Sequence, residues 1–307
     1  MGTEWQGSLP VDASLARSLI DSQFPALRGI GLERVGSGWD HVVWRCGETL
    51  FRFPHQAESL DLARRSVQAL GHLSTRLPLL IPTPTHQGVP EAGYPGHFVG
   101  YRWLEGALPA QLPLTEADRR RATPKLAAFL RTLHGIALPE ARAWGVPLED
   151  DKGSMVERTE YARKRARQLA DTRWAQLGAD ALAVMEQPPP EASDSAFRLV
   201  HGDLHSGQVL FDTSHTITAV IDWDELAIGD PAFDLIMVYS FVPPMAREDF
   251  WHRYGDRTAA ARARHLALSY GLAILVQALH TEDPVLRDEA AAGLENALTG
   301  SPTRYTQ

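Results

Sequence analysis

The apolar residues of the chain are spaced as in strands before about residue 106 and as in helices after it, and this change limits the folds that the chain can adopt. Residues 11–24 have the apolar spacing of a short helix, and most of the following eighty residues read as short strands. Residues 106–113 predict a linker, beyond which helical spacing dominates. We therefore predict an α+β protein, with a small antiparallel β-rich lobe over 1–105 and a larger, mainly helical lobe over 106–307. In the small lobe, strands are predicted at 32–35, 42–45, 49–53 and 97–103, a helix at 57–73 and a loop at 78–90.

The second lobe is predicted to be helical apart from one compact strand–loop–strand unit at residues 197–222. Thr115 and Asp118 resemble a capping box, and we expect Pro124 to split or kink the helix that this box begins. A run of prolines at 188–190 separates the first helices from the strand unit. Further helices are predicted at 155–177, 231–241, 247–254, 258–279 and 284–298.

The composition excludes several classes of protein. Cys46 is the only cysteine, so neither an intramolecular disulfide nor a zinc site built from cysteines can form. The net charge of −8 makes a nucleic-acid partner unexpected and would favour a cationic ligand, although the same balance also keeps ordinary proteins soluble. The longest apolar stretch, 266–279, is shorter than the roughly 18–20 residues of a membrane span. Because the first residues lack a signal-peptide pattern, we expect a cytoplasmic protein with no membrane partner.

One strand–loop–strand segment carries the residues with the clearest chemistry. Asp203 lies in a loop after a strand, and Asp222 ends another strand 19 positions later, with Gln208 between them. Two carboxylates and an amide form the oxygen-rich kind of site that Mg²⁺ prefers, and a carboxylate left off the metal can accept a proton from a hydroxyl. His201, Asp203 and His205 alternate and could instead bind zinc, but the glycines among them favour a loop. Polar turn residues without chemistry are the other alternative.

Three motifs follow one another in this part of the chain. They are His-Gly-Asp-Leu-x-x-x-Gln-Val-Leu at 201–210, Val-Ile-Asp-Trp at 220–223 and Gly-Asp-Pro-Ala-x-Asp-Leu at 229–235. With them, the chain closely resembles the aminoglycoside phosphotransferase family, which has the two-lobed protein-kinase-like fold and includes macrolide kinases and small-metabolite kinases. The resemblance is strong over 197–241 and looser over 35–104 and 126–134.

The resemblance implies a role for the polar residues of these motifs. Asp203 looks like the catalytic aspartate, which orients the acceptor hydroxyl and takes its proton. Asp222 looks like the principal Mg²⁺ ligand, and Gln208 stands where the family usually has a metal-binding asparagine. Asp224 is a further candidate metal ligand, with a solvated surface carboxylate as the alternative. The aspartates of the third motif are expected to be mainly structural. The implied cofactors are Mg²⁺ and ATP or GTP as the phosphoryl donor.

The small lobe is expected to bind the nucleotide. A Gly-Ser-Gly turn between two strands lets backbone N–H groups approach phosphate oxygens, although a plain turn is the alternative. Arg52 stands at the family's lysine position, and the acid that would pair with it is not evident; the segment 101–105 resembles the interlobe hinge. Trp103 is either a wall for the purine or part of the core. The nucleotide-binding candidates are Gly36, Ser37, Gly38, Arg52, Arg102, Trp103 and Leu104.

The function expected from these residues is a Mg²⁺-dependent O-phosphotransferase that uses ATP or GTP and acts on a hydroxyl of a small molecule. The first choice of acceptor is a cationic, aminoglycoside-like antibiotic. A metabolic kinase of the same fold is the second hypothesis, which an apolar or anion-binding site floor would favour over an acidic one. Arg52 and Gln208 suggest a third, a nucleotide-binding pseudoenzyme, but the presence of both Asp203 and Asp222 argues against it.

Overall fold

The computed structural model describes residues 10–37, 41–56, 62–91, 93–149, 152 and 154–299, with Ser37 and residues 62–66 described in their backbone only. The chain divides into two compact units. Unit 1 comprises Met1–Glu105 with Arg142–Val146, and unit 2 comprises Gly106–Ala141 with Pro147–Gln307.

Unit 1 is built around a five-stranded sheet in the order β1-β2-β3-β5-β4, in which every neighbouring pair is antiparallel. Alternate residues of β3 point into the core, where Phe51 and Phe53 are fully buried. The ring of Phe53 stacks on that of Phe98 at 4.6 Å. The elements of this unit are α1 (Ala13–Gln23), β1 (Leu32–Ser37), β2 (His41–Cys46), β3 (Thr49–Pro54), α2 (Leu62–Leu73), β4 (Pro84–Gly88) and β5 (Phe98–Arg102).

The edge strand β4 lies where the sequence predicts a loop. Pro84 is the first residue of β4, a position at an edge where the missing N–H is tolerated. Gly88 pairs with Phe98, and a Cβ added at Gly88 would lie 2.2 Å from that ring. The prolines around this segment therefore mark the ends of a strand rather than its absence.

Unit 2 consists of helices and two short antiparallel ladders, β6 with β9 and β7 with β8. None of the described helices combines the length and the apolar character that crossing a membrane requires. Its helices are α3 (Glu116–His134), α4 (Leu138–Ala143, which continues into unit 1), α5 (Met155–Gln168), α6 (Ala175–Met185), α7 (Ala232–Leu235), α8 (Met237–Ser240), α9 (Arg247–Tyr254), α10 (Ala260–His280) and α11 (Pro284–Leu298). Its strands are β6 (Arg198–Val200), β7 (Val209–Phe211), β8 (Ile217–Val220) and β9 (Ala227–Gly229).

Three helix predictions in unit 2 differ from the structure, and the helix predicted over 231–241 is two short helices, α7 and α8. The capping box of Thr115 and Asp118 forms as expected, but α3 passes Pro124 without a break. One missing N–H does not split this helix because Phe129 and the leucines beside it are fully buried on the same face. The single helix predicted over 155–177 is two, α5 and α6, separated by a turn in which the Thr172 hydroxyl donates to the carbonyl of Leu169 at 2.8 Å.

The two ladders position the loops that carry the polar motifs. Residue 201 leaves the end of β6 and residue 221 leaves the end of β8. Trp223 is buried with 1% of its surface exposed, and its ring packs against that of His201 in the first loop at 4.7 Å. Its indole N–H donates to the carbonyl of Val220, the last residue of β8, at 3.0 Å. A rigid apolar support therefore lies under both polar loops.

Candidate active site

The loop after β6 is anchored through its backbone. The N–H groups of His201 and Gly202 donate to the two carboxylate oxygens of Asp234 at 2.8 and 2.9 Å. Gly202 has φ +88°, and a Cβ at that position would lie 2.2 Å from the carbonyl oxygen of Glu225. Glycine is therefore required at position 202, both by the backbone angle and by the close approach of the second loop.

Asp234 is a structural residue, as expected of the third motif. Its carboxylate is fully buried and lies 3.0 Å from Nε2 of His134, whose Nδ1 lies 2.7 Å from the hydroxyl of Tyr254. Burial alone would raise the pKa of this carboxyl, but hydrogen bonds and charge from His134, together with the backbone of His201, hold the pKa below its ordinary value. An ionised carboxylate thus anchors the loop to α3 and α9.

His201 joins the two loops. Its ring Nε2 lies 2.9 Å from the carbonyl oxygen of Ile221, and its Nδ1 accepts the N–H of Asp203 at 3.4 Å. The ring is fully buried and packs on Trp223 at 4.7 Å. Because both ring nitrogens have protein partners, His201 fits the role of a fixed connector better than that of a zinc ligand.

Asp203 follows this connector and is partly buried, with 46% of its side chain exposed. Its Oδ2 lies 3.8 Å from Nε2 of His205. Burial raises the pKa of Asp203, the charges of Asp222 and Glu225 add to that rise, and the charges of His201 and Lys152 oppose it. A carboxylate with a raised pKa is a better proton acceptor, which is the property that a general base needs.

Asp222 and Gln208 lie side by side. The amide Nε2 of Gln208, a residue 8% exposed, donates to Oδ2 of Asp222 at 3.2 Å and lies 3.2 Å from Nε2 of His205. Asp222 has φ +65°, an uncommon backbone angle for a residue other than glycine. Such angles persist where the surroundings impose them, and they concentrate at functional sites. Asp224, two residues on, is half-buried.

This donor set fits Mg²⁺. Carboxylate oxygens of Asp222 and the amide oxygen of Gln208 are hard ligands, and rotation of the amide would turn Oε1 towards the position that Nε2 now holds. Among the residues that the structure describes, no group of three or more His, Cys, Asp or Glu residues is arranged to hold a metal by itself. A cation at this place would therefore need other oxygens as well, as Mg²⁺ does when it binds substrate phosphates.

Two residues beside the site, Lys152 and Tyr270, carry no signal in the sequence. Lys152 donates from Nζ to the carbonyl of Gly202 at 2.7 Å, although it lies fifty positions before it. His205 stacks on Tyr270 of α10 at 5.2 Å, and burial lowers the pKa of His205 to about 4. These contacts join segments far apart in the chain, so only the folded structure could reveal them.

In unit 1, the candidate phosphate-binding residues lie at the end of β1. Gly36 and Ser37 belong to that strand, and Gly38 lies outside the described residues. Arg52 lies on β3, opposite Val43 and Val99 in the register, and is half-buried. Its Nη2 lies 3.4 Å from Nδ1 of the buried His41. The segment after β3, in which the acid that pairs with Arg52 would be sought, has its side chains at 57–66 outside the described residues.

The predicted hinge segment forms the end of β5. The N–H of Arg102 donates to the carbonyl of Thr83 at 3.1 Å, and the N–H of Trp103 donates to that of Glu48 at 2.8 Å. Trp103 is half-exposed, so its ring is not part of the core. The guanidinium of Arg45 lies over this ring at 4.3 Å from its centre. Two of the three candidate backbone donors thus already have protein partners.

A comparison with protein families identifies the group to which these features belong. The model of the phosphotransferase enzyme family, APH, matches residues 31–267, which is well over half of the chain. The chain belongs to this family. The match includes all three motifs and both anchored loops.

Two curated proteins and one solved structure show how distant the relatives are. The chain is 24% identical over 216 residues to the uncharacterised protein YcbJ of Bacillus subtilis. The aligned residues cover 67% of this chain and 65% of YcbJ. It is 36% identical over 86 residues to hygromycin-B 4-O-kinase of Escherichia coli, but this covers only 26% of this chain and 25% of that kinase. A GDP and kanamycin complex of APH(2″)-IIIa matches with a TM-score of 0.63 and 22% identity, covering 92% of this chain and 97% of that one. This likeness confirms the predicted α+β, kinase-like fold.

Proposed function

We propose that this protein transfers a phosphoryl group from ATP or GTP to a hydroxyl of a small molecule, with Mg²⁺ as cofactor. The observation that carries the proposal is the contact of Gln208 with Asp222, on a loop that His201 ties to the loop carrying Asp203. One carboxylate is left for proton transfer, and the other lies next to an amide whose oxygen would share a cation with it after rotation of the amide. A nucleotide-binding pseudoenzyme would not need both a proton-accepting carboxylate and a metal-binding carboxylate.

In the proposed reaction, the acceptor oxygen forms a bond to the terminal phosphorus of the donor as the bond from that phosphorus to the bridging oxygen breaks. Asp203 orients the acceptor hydroxyl and receives its proton, and the nucleoside diphosphate leaves with the electron pair of the broken bond. When bound by Asp222 and Gln208, Mg²⁺ supplies positive charge to the donor phosphates. Asp224 is a supplementary ligand in this proposal.

Unit 1 is proposed to bind the donor nucleotide. Gly36 and Ser37 at the end of β1, with Gly38 after them, would offer backbone N–H groups to the phosphates, and Arg52 would add positive charge from β3. Because the N–H groups of Arg102 and Trp103 have protein partners, the purine would use the N–H of Leu104 and the carbonyl groups of this segment. The ring of Trp103, partly covered by Arg45, would form a wall beside the base.

A cationic, aminoglycoside-like compound is the proposed acceptor. Acidic side chains predominate around the proposed base, since the charges of Asp222 and Glu225 act on Asp203 and Lys152 is paired with Glu225. Such a surface attracts amino groups. The names of the relatives agree with this choice, one being a hygromycin-B kinase and another a protein crystallised with kanamycin.

The proposal is tested by incubating the protein and Mg²⁺ with ATP or GTP and a panel of acceptors. The panel contains kanamycin, hygromycin B, a macrolide, an uncharged polyol and a hydroxy acid, and mass spectrometry detects addition of one phosphoryl group. We expect Mg²⁺-dependent product from an aminocyclitol antibiotic. If only the hydroxy acid is phosphorylated, the result would instead support the metabolic kinase. If no product and no nucleotide turnover are detected, the proposal that the protein is a phosphotransferase is wrong.

Arg52→Ala is expected to raise the Kd of MgATP or MgGTP about ten- to hundredfold, because it removes a charged donor to phosphate. Arg52→Lys, which restores the family's residue type, should stay within about threefold of the wild type. Titration calorimetry measures both, with Arg34→Ala on the exposed side of β1 as the matched control. An unchanged Kd for Arg52→Ala would remove Arg52 from the site.

Gln208→Leu is expected to raise the Mg²⁺ concentration for half-maximal turnover about tenfold, since it removes one oxygen ligand and keeps the volume. Gln208→Asn should lower that concentration relative to the leucine variant. Gln168→Leu, at the exposed end of α5, serves as the control. If the leucine and wild-type proteins respond identically to Mg²⁺, Gln208 does not bind the metal.

A further inference from the structure

Lys152 holds the site loop through a contact that no motif indicates. Its Nζ lies 2.7 Å from the carbonyl oxygen of Gly202, 3.3 Å from Oε1 of Glu149 and 3.4 Å from Oε2 of Glu225. The ammonium also lies 5.1 Å over the ring of Phe233. The carbonyl of Gly202 accepts a hydrogen bond from this ammonium, and the two carboxylates lie at ion-pair distance from it. Together these contacts keep the ammonium beside the loop.

The contact acts on the peptide unit that leads into Asp203. The N–H of Gly202 donates to Asp234 at 2.9 Å, while the carbonyl of the same residue accepts from Lys152. The N–H group of Gly202 is thus held by a negative charge and its carbonyl by a positive one, at a residue whose φ is +88°. Because both groups are fixed, the direction in which the Asp203 side chain leaves the backbone is fixed as well.

An ordinary surface ion pair is the simpler explanation, and such pairs contribute little to stability. Lys152 differs from that description because its partner Glu149 has only 9% of its side chain exposed and accepts the N–H of Asp230 at 3.2 Å. The other two lysines of the chain, Lys125 and Lys164, are exposed on α3 and α5.

We propose that Lys152 is a positioning residue for Asp203, which it serves by fixing the carbonyl of Gly202. The proposal rests on the proposed function, in which Asp203 accepts the proton of the acceptor. A positioning role predicts a loss in kcat with little change in nucleotide binding, because a displacement of about 1 Å at a reacting group can lower a rate roughly a hundredfold.

The kinetic test compares Lys152→Met, Lys152→Arg and the control Lys164→Met with MgATP and MgGTP and the acceptor panel. We expect Lys152→Met to lower kcat about ten- to hundredfold, with the nucleotide KM within about twofold of the wild type. Lys152→Arg retains a donor to the carbonyl and should recover most of the loss. A kcat of Lys152→Met within twofold of the control, or equal losses in the Met and Arg variants, would overturn the proposal.

Lys152→Met leaves the charge of Glu149 buried without its partner and could unfold the protein, so Lys152→Met/Glu149→Gln is made as well. Hydrogen exchange then follows the peptide containing residues 201–203 independently of activity. We expect exchange about tenfold faster than in the wild type in this peptide alone, with no such change in Lys164→Met. If the wild-type protein turns over no nucleotide, the proposed function fails, and unchanged exchange in the double variant would separately refute the positioning role.

Discussion

Asp203→Asn is expected to lower turnover by about two to four orders of magnitude, the range that a positioned general base contributes. Asparagine keeps the size of the side chain and its place beside His205, but it cannot accept the hydroxyl proton. The dissociation constant of the nucleotide should change by no more than about twofold, because no phosphate contact is removed. Measurements of kcat and of nucleotide binding on the same samples separate the two effects.

The pH profile adds a second readout for Asp203. Burial raises the pKa of this carboxyl. When the pH is lowered, Asp203 therefore becomes protonated at a higher pH than an ordinary aspartate does. The wild type should therefore lose activity on the acid side through that raised pKa, and the residual activity of Asp203→Asn should lack this limb. Asp180→Asn, an exposed substitution on α6, is the control. An asparagine variant that retains a tenth of wild-type turnover would assign the base to another group.

The fold could be predicted where local signals agree with tertiary packing. Helices α9 and α11 begin and end at the predicted residues, and the second begins with Asp283 as its cap and Pro284 at its first turn. The break between α5 and α6 could not be predicted because residues 169–174 contain neither glycine nor proline. There the chain turns because the buried Leu169 packs close to Gly178 of α6, a contact between two helices.

The site shows the same division between local and long-range information. The motif spacing predicts that Asp203, Gln208 and Asp222 share a site, and the structure places the last two 3.2 Å apart. The contact of Lys152 with the first loop joins segments fifty positions apart in sequence. Such contacts have no periodicity or spacing of their own, so one sequence does not contain a pattern that indicates them.

Asp234→Ala is expected to lower the free energy of unfolding by about 3–5 kcal/mol, the largest effect on stability that we predict. The substitution leaves three buried donors without an acceptor, namely the N–H groups of His201 and Gly202 and the Nε2 position of His134. Each unsatisfied buried donor destabilises by about 1–3 kcal/mol, and the small side chain also leaves a cavity. Urea unfolding at neutral pH measures the loss, with Asp171→Ala on the surface as the control.

The sign of the pH dependence follows from the lowered pKa of Asp234. A carboxyl whose pKa is lower in the folded protein stabilises it at pH values above its unfolded pKa of about 3.9, and this contribution is lost as the pH falls through the folded pKa. The difference in stability between wild type and Asp234→Ala should therefore narrow as the pH drops below about 3.9. A double-mutant cycle with His134→Ala should show strong coupling, since the two side chains share one hydrogen bond. Additive losses, or a loss no larger than that of Asp171→Ala, would mean that the loop holding Asp203 is not anchored by this carboxylate.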